Sequence, residues 1–377
     1  MNLRRTKAIA KKEMIQILRD PRSLVLAIAI PMLLLILYGY ALTLDVDQVE
    51  TVVLDRDRTQ LSADLIDRFG RSRYFRIKAY VSTYESMQRM IEAGKAKLGL
   101  VIPYDFSETI SRGGGIAVQA ILDGSDSNTA TIIRGYVSGL VQLFSLELSQ
   151  APQYRQPARR SLPSVDLQAR VWFNTDLESR NFIIPGLIAV IMMIIAALLT
   201  SLTVAREWER GTMEQLISTP VKTMELIVGK LSPYFLIGLI DVALSVLMGR
   251  FLFKVPLRGN PLLIFGASSA FLVGGLGLGF LLSVITRSQL LASQAAMITT
   301  FLPAFLLSGF IFAISNMPQA VQFITYLVPA RYFVTILKGI FLKGVGVEIL
   351  WAEGIFLVGF GLVIIMLSNL KFKKKLV

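Results

Sequence analysis

Phe182 to Val204 reads FIIPGLIAVIMMIIAALLTSLTV, 23 consecutive positions without a charged side chain. As a helix rising 1.5 Å per residue it is about 34 Å long, enough to cross a hydrocarbon core of roughly 30 Å. Inside lipid the backbone N–H and C=O groups must be satisfied within the segment, which a helix achieves and an irregular chain does not. The same reading, carried outward, gives five further candidate spans: Leu24 to Leu44, Leu231 to Phe253, Leu262 to Ile285, Leu290 to Ile314 and Ile349 to Leu370. Residues 314–346 hold a half-apolar stretch, Met317 to Gly346, expected to dip into the membrane without crossing it. The expected fold is a polytopic α-helical membrane protein with about six transmembrane helices and an α/β external domain inserted between helices 1 and 2. The composition agrees, with 54% hydrophobic and 17% charged residues among 377.

Charge placement gives an orientation. The faces before the first span, after the second and fourth, and after the last hold sixteen basic residues, from Arg4 and Arg5 to Lys373, Lys374 and Lys375. The short loops opposite hold six: Arg250, Lys254, Arg258, Arg331, Lys338 and Lys343. Both termini are therefore expected in the cytoplasm, in a multi-pass protein of the bacterial inner membrane. The other seventeen basic residues lie between Asp45 and Arg180 beside seventeen acidic ones. The net charge of +13 thus belongs to membrane flanks, and a nucleic-acid partner is not expected. The N-terminal apolar run is too long for a cleaved signal peptide, and no small-x-small site follows it.

The resulting map has an amphipathic interfacial helix over 1–22, transmembrane helix 1 over 23–44, a periplasmic α/β domain over 45–180 and a five-helix membrane region over 181–377. In the first element Leu3, Ala10, Met14 and Ile17 fall on one helical face, with Arg4, Arg5, Lys11, Lys12 and Arg19 roughly opposite. That pattern suits a helix lying on membrane lipid, or a plain basic flank that sets topology, and Asp20-Pro21 ends it. In the inserted domain Val49 to Leu54, Tyr74 to Val81, Leu98 to Ile102 and the alternating Ile116, Val118, Ala120 and Leu122 read as strands. Helices are expected around Leu61 to Phe69, from a capping box at Ser82 to Glu85, and from Ser127 to Ser149. A small mixed or parallel sheet follows. Ala151 to Pro163, rich in Pro and Arg, reads as a flexible stretch.

The search for chemistry returns little. The chain has no cysteine and no histidine, so thiolate chemistry, histidine bases and the commonest zinc ligand are absent. No phosphate-binding loop is present: Gly94-Lys95 and Gly229-Lys230 lack the upstream glycine and the following hydroxyl. Gly274, Gly275, Gly277 and Gly279 sit inside a span and suit close helix packing better than a nucleotide. No catalytic residue, metal or cofactor is expected. Asp241, inside the Leu231 to Phe253 run, is an intramembrane polar candidate: a structural contact, or the carrier of an ion-driven transporter. The charged segment 205–230 between two spans is too short for a domain. Met213, Leu216 and Ile217 give it an apolar stripe, so it reads as a short helix along the membrane or as an ordinary solvated connection.

Glu207-x-Glu209-Arg210-Gly211-Thr212-x-Glu214-Gln215-Leu216-x-x-Thr219-Pro220, followed by Gly229-Lys230-x-x-Pro233-Tyr234, resembles the coupling region of type-2 ABC exporter permeases. The resemblance covers nearly the whole chain. It includes Lys12-Glu13, Arg19-Asp20-Pro21-Arg22, Asn174, Phe182 to Gly186, Ser308-Gly309-Phe310, Asn316-Met317-Pro318 and Pro329 to Phe333; Ala313 stands where such permeases often carry proline. It implies a permease subunit without its own ATP site, driven by a separate ABC ATPase subunit and paired with a second permease subunit as homo- or heterodimer. A periplasmic adaptor protein often accompanies this drug, lipid or small-molecule export subgroup. Glu207, Arg210, Gly211, Thr212, Glu214 and Gln215 are the ATPase-coupling candidates, with Glu207, Arg210, Glu214 and Gln215 offered to the partner. The competing classes are an ion-gradient-driven secondary transporter and a membrane receptor with an external ligand-binding domain.

Overall fold

Breaks in the helical pattern set the architecture. The computed structural model describes residues 2–42, 46–125, 127–150 and 178–372; Ala151 to Pro163, Asn174 and the Lys373 to Lys375 tail lie outside these. Two units form: Met1–Thr43 with Val171–Val377, and Leu44–Arg170. The chain opens with α1 (Leu3–Arg19), whose first turn is capped by the Asn2 side chain accepting from the Arg4 N–H at 3.1 Å. After Asp20 come α2 (Pro21–Leu24), a π-turn at Val25–Ala29 and α3 (Ile30–Ala41). The apolar helix Val25–Ala41 is shorter than the expected Leu24 to Leu44 span.

The second unit alternates strand and helix: β1 (Val49–Asp55), α4 (Gln60–Arg71), β2 (Phe75–Tyr80), α5 (Tyr84–Glu92), β3 (Leu98–Ile102), α6 (Phe106–Ser111), β4 (Gln119–Leu122) and α7 (Ser127–Gln150). The sheet order is β2-β1-β3-β4, with β1 parallel to β2 and β3, and β4 antiparallel to β3. Successive residues of β1 point to opposite faces. Val49 and Val53 join Leu65, Phe69 and Ile133 in one core, while Val52 and Leu54 join Met87 in the other. Both β1 and β3 are therefore buried along nearly their whole length, and β3 is apolar throughout. The cap of α5 is Thr83, accepting from the Ser86 N–H at 3.3 Å, one residue beyond the expected Ser82 box. The alternation from Ile116 overstates β4, because Ile116 and Val118 pack on the core from a loop.

Returning to the first unit, the chain forms α8 (Ser179–Glu209), α9 (Thr212–Ser218), α10 (Thr223–Leu247) running into a π-turn at Met248–Leu252, α11 (Pro261–Thr286), α12 (Gln289–Leu307), α13 (Gln319–Thr325), α14 (Pro329–Lys338) running into a π-turn at Gly339–Lys343, and α15 (Val347–Lys371). Among the described residues five helices are long and apolar enough to cross a membrane: α8, α10 with its π-turn, α11, α12 and α15. The count is six if α13 and α14 with its π-turn, bent by 84° at their break, form one span. The half-apolar stretch Met317 to Gly346 is thus a bent helix pair. The fifth run stops at Leu307, short of the expected Ile314, because Gly309 adopts φ +77°. Ala313 has φ −61°, the value a proline would impose.

Apolar all round and almost wholly enclosed, α8 is the central helix. A Cβ on Gly279 of α11 would lie 2.1 Å from the Ala197 carbonyl oxygen, so only glycine allows that approach. Thr200 Oγ1 donates to the Leu276 carbonyl across the same contact at 2.8 Å. Gly275 meets Ala196, while Gly274 and Gly277 meet Phe360 and Ile364 of α15. The glycine run therefore serves helix packing, as its position inside a span suggests. These contacts advance in step, so α8, α11 and α15 run parallel and end on one side of the unit.

Candidate functional site

On that side the chain turns sharply from α8 into α9. Arg210 caps α8, and Gly211 takes φ +69°, a left-handed conformation that a side chain would strain. The Thr212 hydroxyl donates to Glu207, tying the first residue of α9 back to the last turn of α8. Met213 is buried in the helical core, while Arg210, Gly211, Glu214 and Gln215 are exposed. The stripe of α9 thus seats through Met213, with Leu216 partly buried against the core.

Glu207 does not face outward. Its side chain is 10% exposed; Oε1 accepts from Lys12 Nζ at 2.8 Å and lies 3.4 Å from Lys230 Nζ. Lys230, 2% exposed, also donates to Glu13 of α1, itself 3% exposed. Two lysines and two glutamates thus form a neutral cluster joining α1, α8 and α10. The sequence reading placed Glu207 among the residues offered to a partner, whereas its carboxylate is consumed inside the protein. Desolvating two charges is costly, and such a group persists only when each member is paired.

Sequence reasoning missed this cluster, and the sequence holds two signals of it. Glu13 is the one acid in α1, one turn before the buried Ile17, amid basic residues. Gly229 precedes Lys230, and a Cβ there would lie 2.8 Å from Ile9 Cβ and 3.1 Å from the Thr6 carbonyl oxygen. Glycine lets α1 approach α10; lysine then meets the acid that α1 brings. The buried face of α1 is Thr6, Glu13 and Ile17 against protein, and Leu3, expected on the apolar face, is 75% exposed.

Further bonds tie the same corner together. Glu225 accepts from the backbone N–H groups of Asn2 at 2.5 Å and Lys222 at 3.0 Å. Arg5 donates to the Pro220 carbonyl. Arg206 pairs with Asp20 at 3.7 Å. The Gln289 N–H donates to Glu209 at 2.7 Å, and the Arg287 guanidinium lies 4.7 Å from the centre of the Trp208 ring. An elbow results in which α9 is linked through α8 to α1 and α10.

Asp241 lies apart from the elbow, three turns beyond Lys230 and about 16 Å along α10. It is 1% exposed, and its Oδ1 has no hydrogen-bond partner among the described residues. Among those residues no three acidic side chains gather as a metal site would need.

Residues 21–370 match the family described as ABC-2 family transporter protein. Over its full 377 residues the chain is 40% identical to a protein of Escherichia coli (strain K12) named probable multidrug ABC transporter permease YbhS, covering 98% of it. It is 30% identical over 346 residues to probable multidrug ABC transporter permease YbhR of the same organism, with 91% of each chain covered. It is also 23% identical over 348 residues to ABC transporter G family member 20 of Dictyostelium discoideum, covering 90% of this chain and 46% of that one.

Proposed function

Because the chain belongs to the ABC-2 family of transporter proteins, as a transport permease of the membrane, we propose that it is the permease subunit of an ATP-driven exporter and that the elbow receives the stroke of a separate ABC ATPase. The observation that carries this reading is the division of the elbow into two faces. Arg210, Gly211, Glu214 and Gln215 are exposed on or beside α9, while Thr212, Met213 and Glu207 bind α9 to the helices behind it. A push on the outer face reaches α8 and α10 through the ion cluster, and rigid-body tilting of packed helices is an established way to open a pathway. The hydrolytic site belongs to the partner, two permease subunits, identical or paralogous, line the pathway, and the elbow and both termini face the cytoplasm of a bacterial cell. On this reading the α/β unit within residues 45–180 is periplasmic and offers a surface to an adaptor protein. The multidrug names of the relatives favour drugs as cargo.

The alternative of an ion-driven carrier has one observation in its favour, the buried Asp241 whose Oδ1 has no partner among the described residues. Membrane vesicles containing the chain and its copurifying ATPase separate the two. ATP should drive transport with the ion gradients collapsed, and Arg210→Glu and Glu214→Arg should each lower the ATPase recovered per permease at least about ten-fold. Both side chains are exposed, so membrane insertion should be unchanged. Full recovery of the ATPase with both variants would remove α9 as the coupling contact.

A further inference from the structure

A cavity of about 800 Å³ opens beside the elbow, and its lining changes character along its length. At its apolar end are Leu26, Leu199 and Leu202; at the other are Lys12, Arg19, Arg206 and Arg210, with Asp20 as the one acid in the lining. On α8, Leu199, Leu202, Arg206 and Arg210 follow one another at helical spacing, so a single face passes from apolar to basic over about 16 Å. Glu207 occupies Lys12, Asp20 occupies Arg206, and nearby Glu209 is engaged by Gln289. Arg19 and Arg210 have no ion pair among the described residues. The cavity therefore keeps two uncompensated guanidinium groups at one end and hydrocarbon at the other.

We propose that this cavity binds one anionic phospholipid, with its phosphate-bearing headgroup between Arg19 and Arg210 and an acyl chain against Leu26, Leu199 and Leu202. Guanidinium forks match phosphate oxygens in charge and geometry. The profile along α8 matches the passage from headgroup to hydrocarbon at the membrane surface on the elbow side. Binding there ties α1 to the end of α8, so lipid composition sets how firmly the elbow is held. The site stands whether or not α9 receives an ATPase.

The test uses the full-length chain, purified in a neutral maltoside detergent without any ATPase, and follows its thermal transition. Dioctanoyl phosphatidylglycerol should raise the transition saturably, while dioctanoyl phosphatidylcholine and inorganic phosphate at equal concentration should not. Arg19→Gln should weaken the apparent affinity for phosphatidylglycerol about five-fold, and Arg19→Gln with Arg210→Gln about thirty-fold. Arg258→Gln with Lys343→Gln, at the opposite end of the helices, should leave it unchanged. Equal stabilisation by phosphatidylcholine, or by inorganic phosphate, would overturn the lipid assignment. Unchanged phosphatidylglycerol affinity in the Arg19/Arg210 double variant would overturn the site. Arg19 takes no part in the α9 surface, so its single variant separates this failure from a failure of the coupling reading.

Discussion

Replacing Lys230 by Met removes the cation that Glu13 shares with Glu207. Glu13, 3% exposed, is left without a counter-charge, whereas Glu207 keeps Lys12 at 2.8 Å. Breaking one side of a buried ion pair typically costs about 3–5 kcal/mol, because the remaining charge stays desolvated. Lys12 is 56% exposed and its bond is screened by solvent, so its own removal should cost under about 1 kcal/mol. Glu13→Gln alone strands Lys230 only in part, since Glu207 remains 3.4 Å away. The double variant Glu13→Gln with Lys230→Met holds no stranded charge and should recover much of the loss, giving a coupling energy of about 2–3 kcal/mol. The assay is a double-mutant cycle of unfolding in mixed micelles titrated with dodecyl sulfate, followed by tryptophan fluorescence. Trp208, in the last turn of α8, reports on the elbow. Losses that simply add, with coupling below about 0.5 kcal/mol, would refute the buried pair and the rigid link from α1 to α10.

Two glycines in α11 should respond in opposite ways to the same substitution. Gly279→Ala drives a methyl into the Ala197 carbonyl and should cost about 3 kcal/mol or more, whereas Gly266→Ala meets open space and should stabilise by about 0.5–1 kcal/mol in the same unfolding titration. The absence of native cysteine allows a clean orientation test. A cysteine at Ser125 should react with an impermeant thiol reagent once the outer barrier is opened, and one at Ser218 only after the inner membrane is permeabilised; both positions are exposed. The reverse labelling pattern would invert the charge-based orientation.

The parts legible in sequence are those governed by local periodicity. An uncharged 23-residue run can be little other than a span, and the alternation of β1 with amphipathic α4 and α5 shows a two-sided sheet. Gly274 to Gly279 mark helix contacts because four glycines clustered within one span let neighbouring backbones approach closely. The elbow cluster was not legible, because its members are far apart in the chain: Glu13 and Lys230 by 217 residues, Lys12 and Glu207 by 195. Charge pattern alone put Glu207 with Arg210 and Glu214 on the surface. Its true position depends on α1 folding back against α10, which Gly229 permits and no periodicity announces. Apolarity overstates the length of α12 for a related reason, since the apolar run continues through Gly309 while the helix does not.

The proposed coupling requires that α9 meet an ATPase. A photoreactive amino acid at position 214, which is exposed on α9, should cross-link in intact cells to a protein carrying an ABC ATPase domain. The same probe at Met366, exposed on α15 and 64% accessible, should give no such adduct. An ATPase adduct at position 214 alone is the result the account predicts. No ATPase adduct at 214, from a chain that is inserted and active in transport, would contradict it.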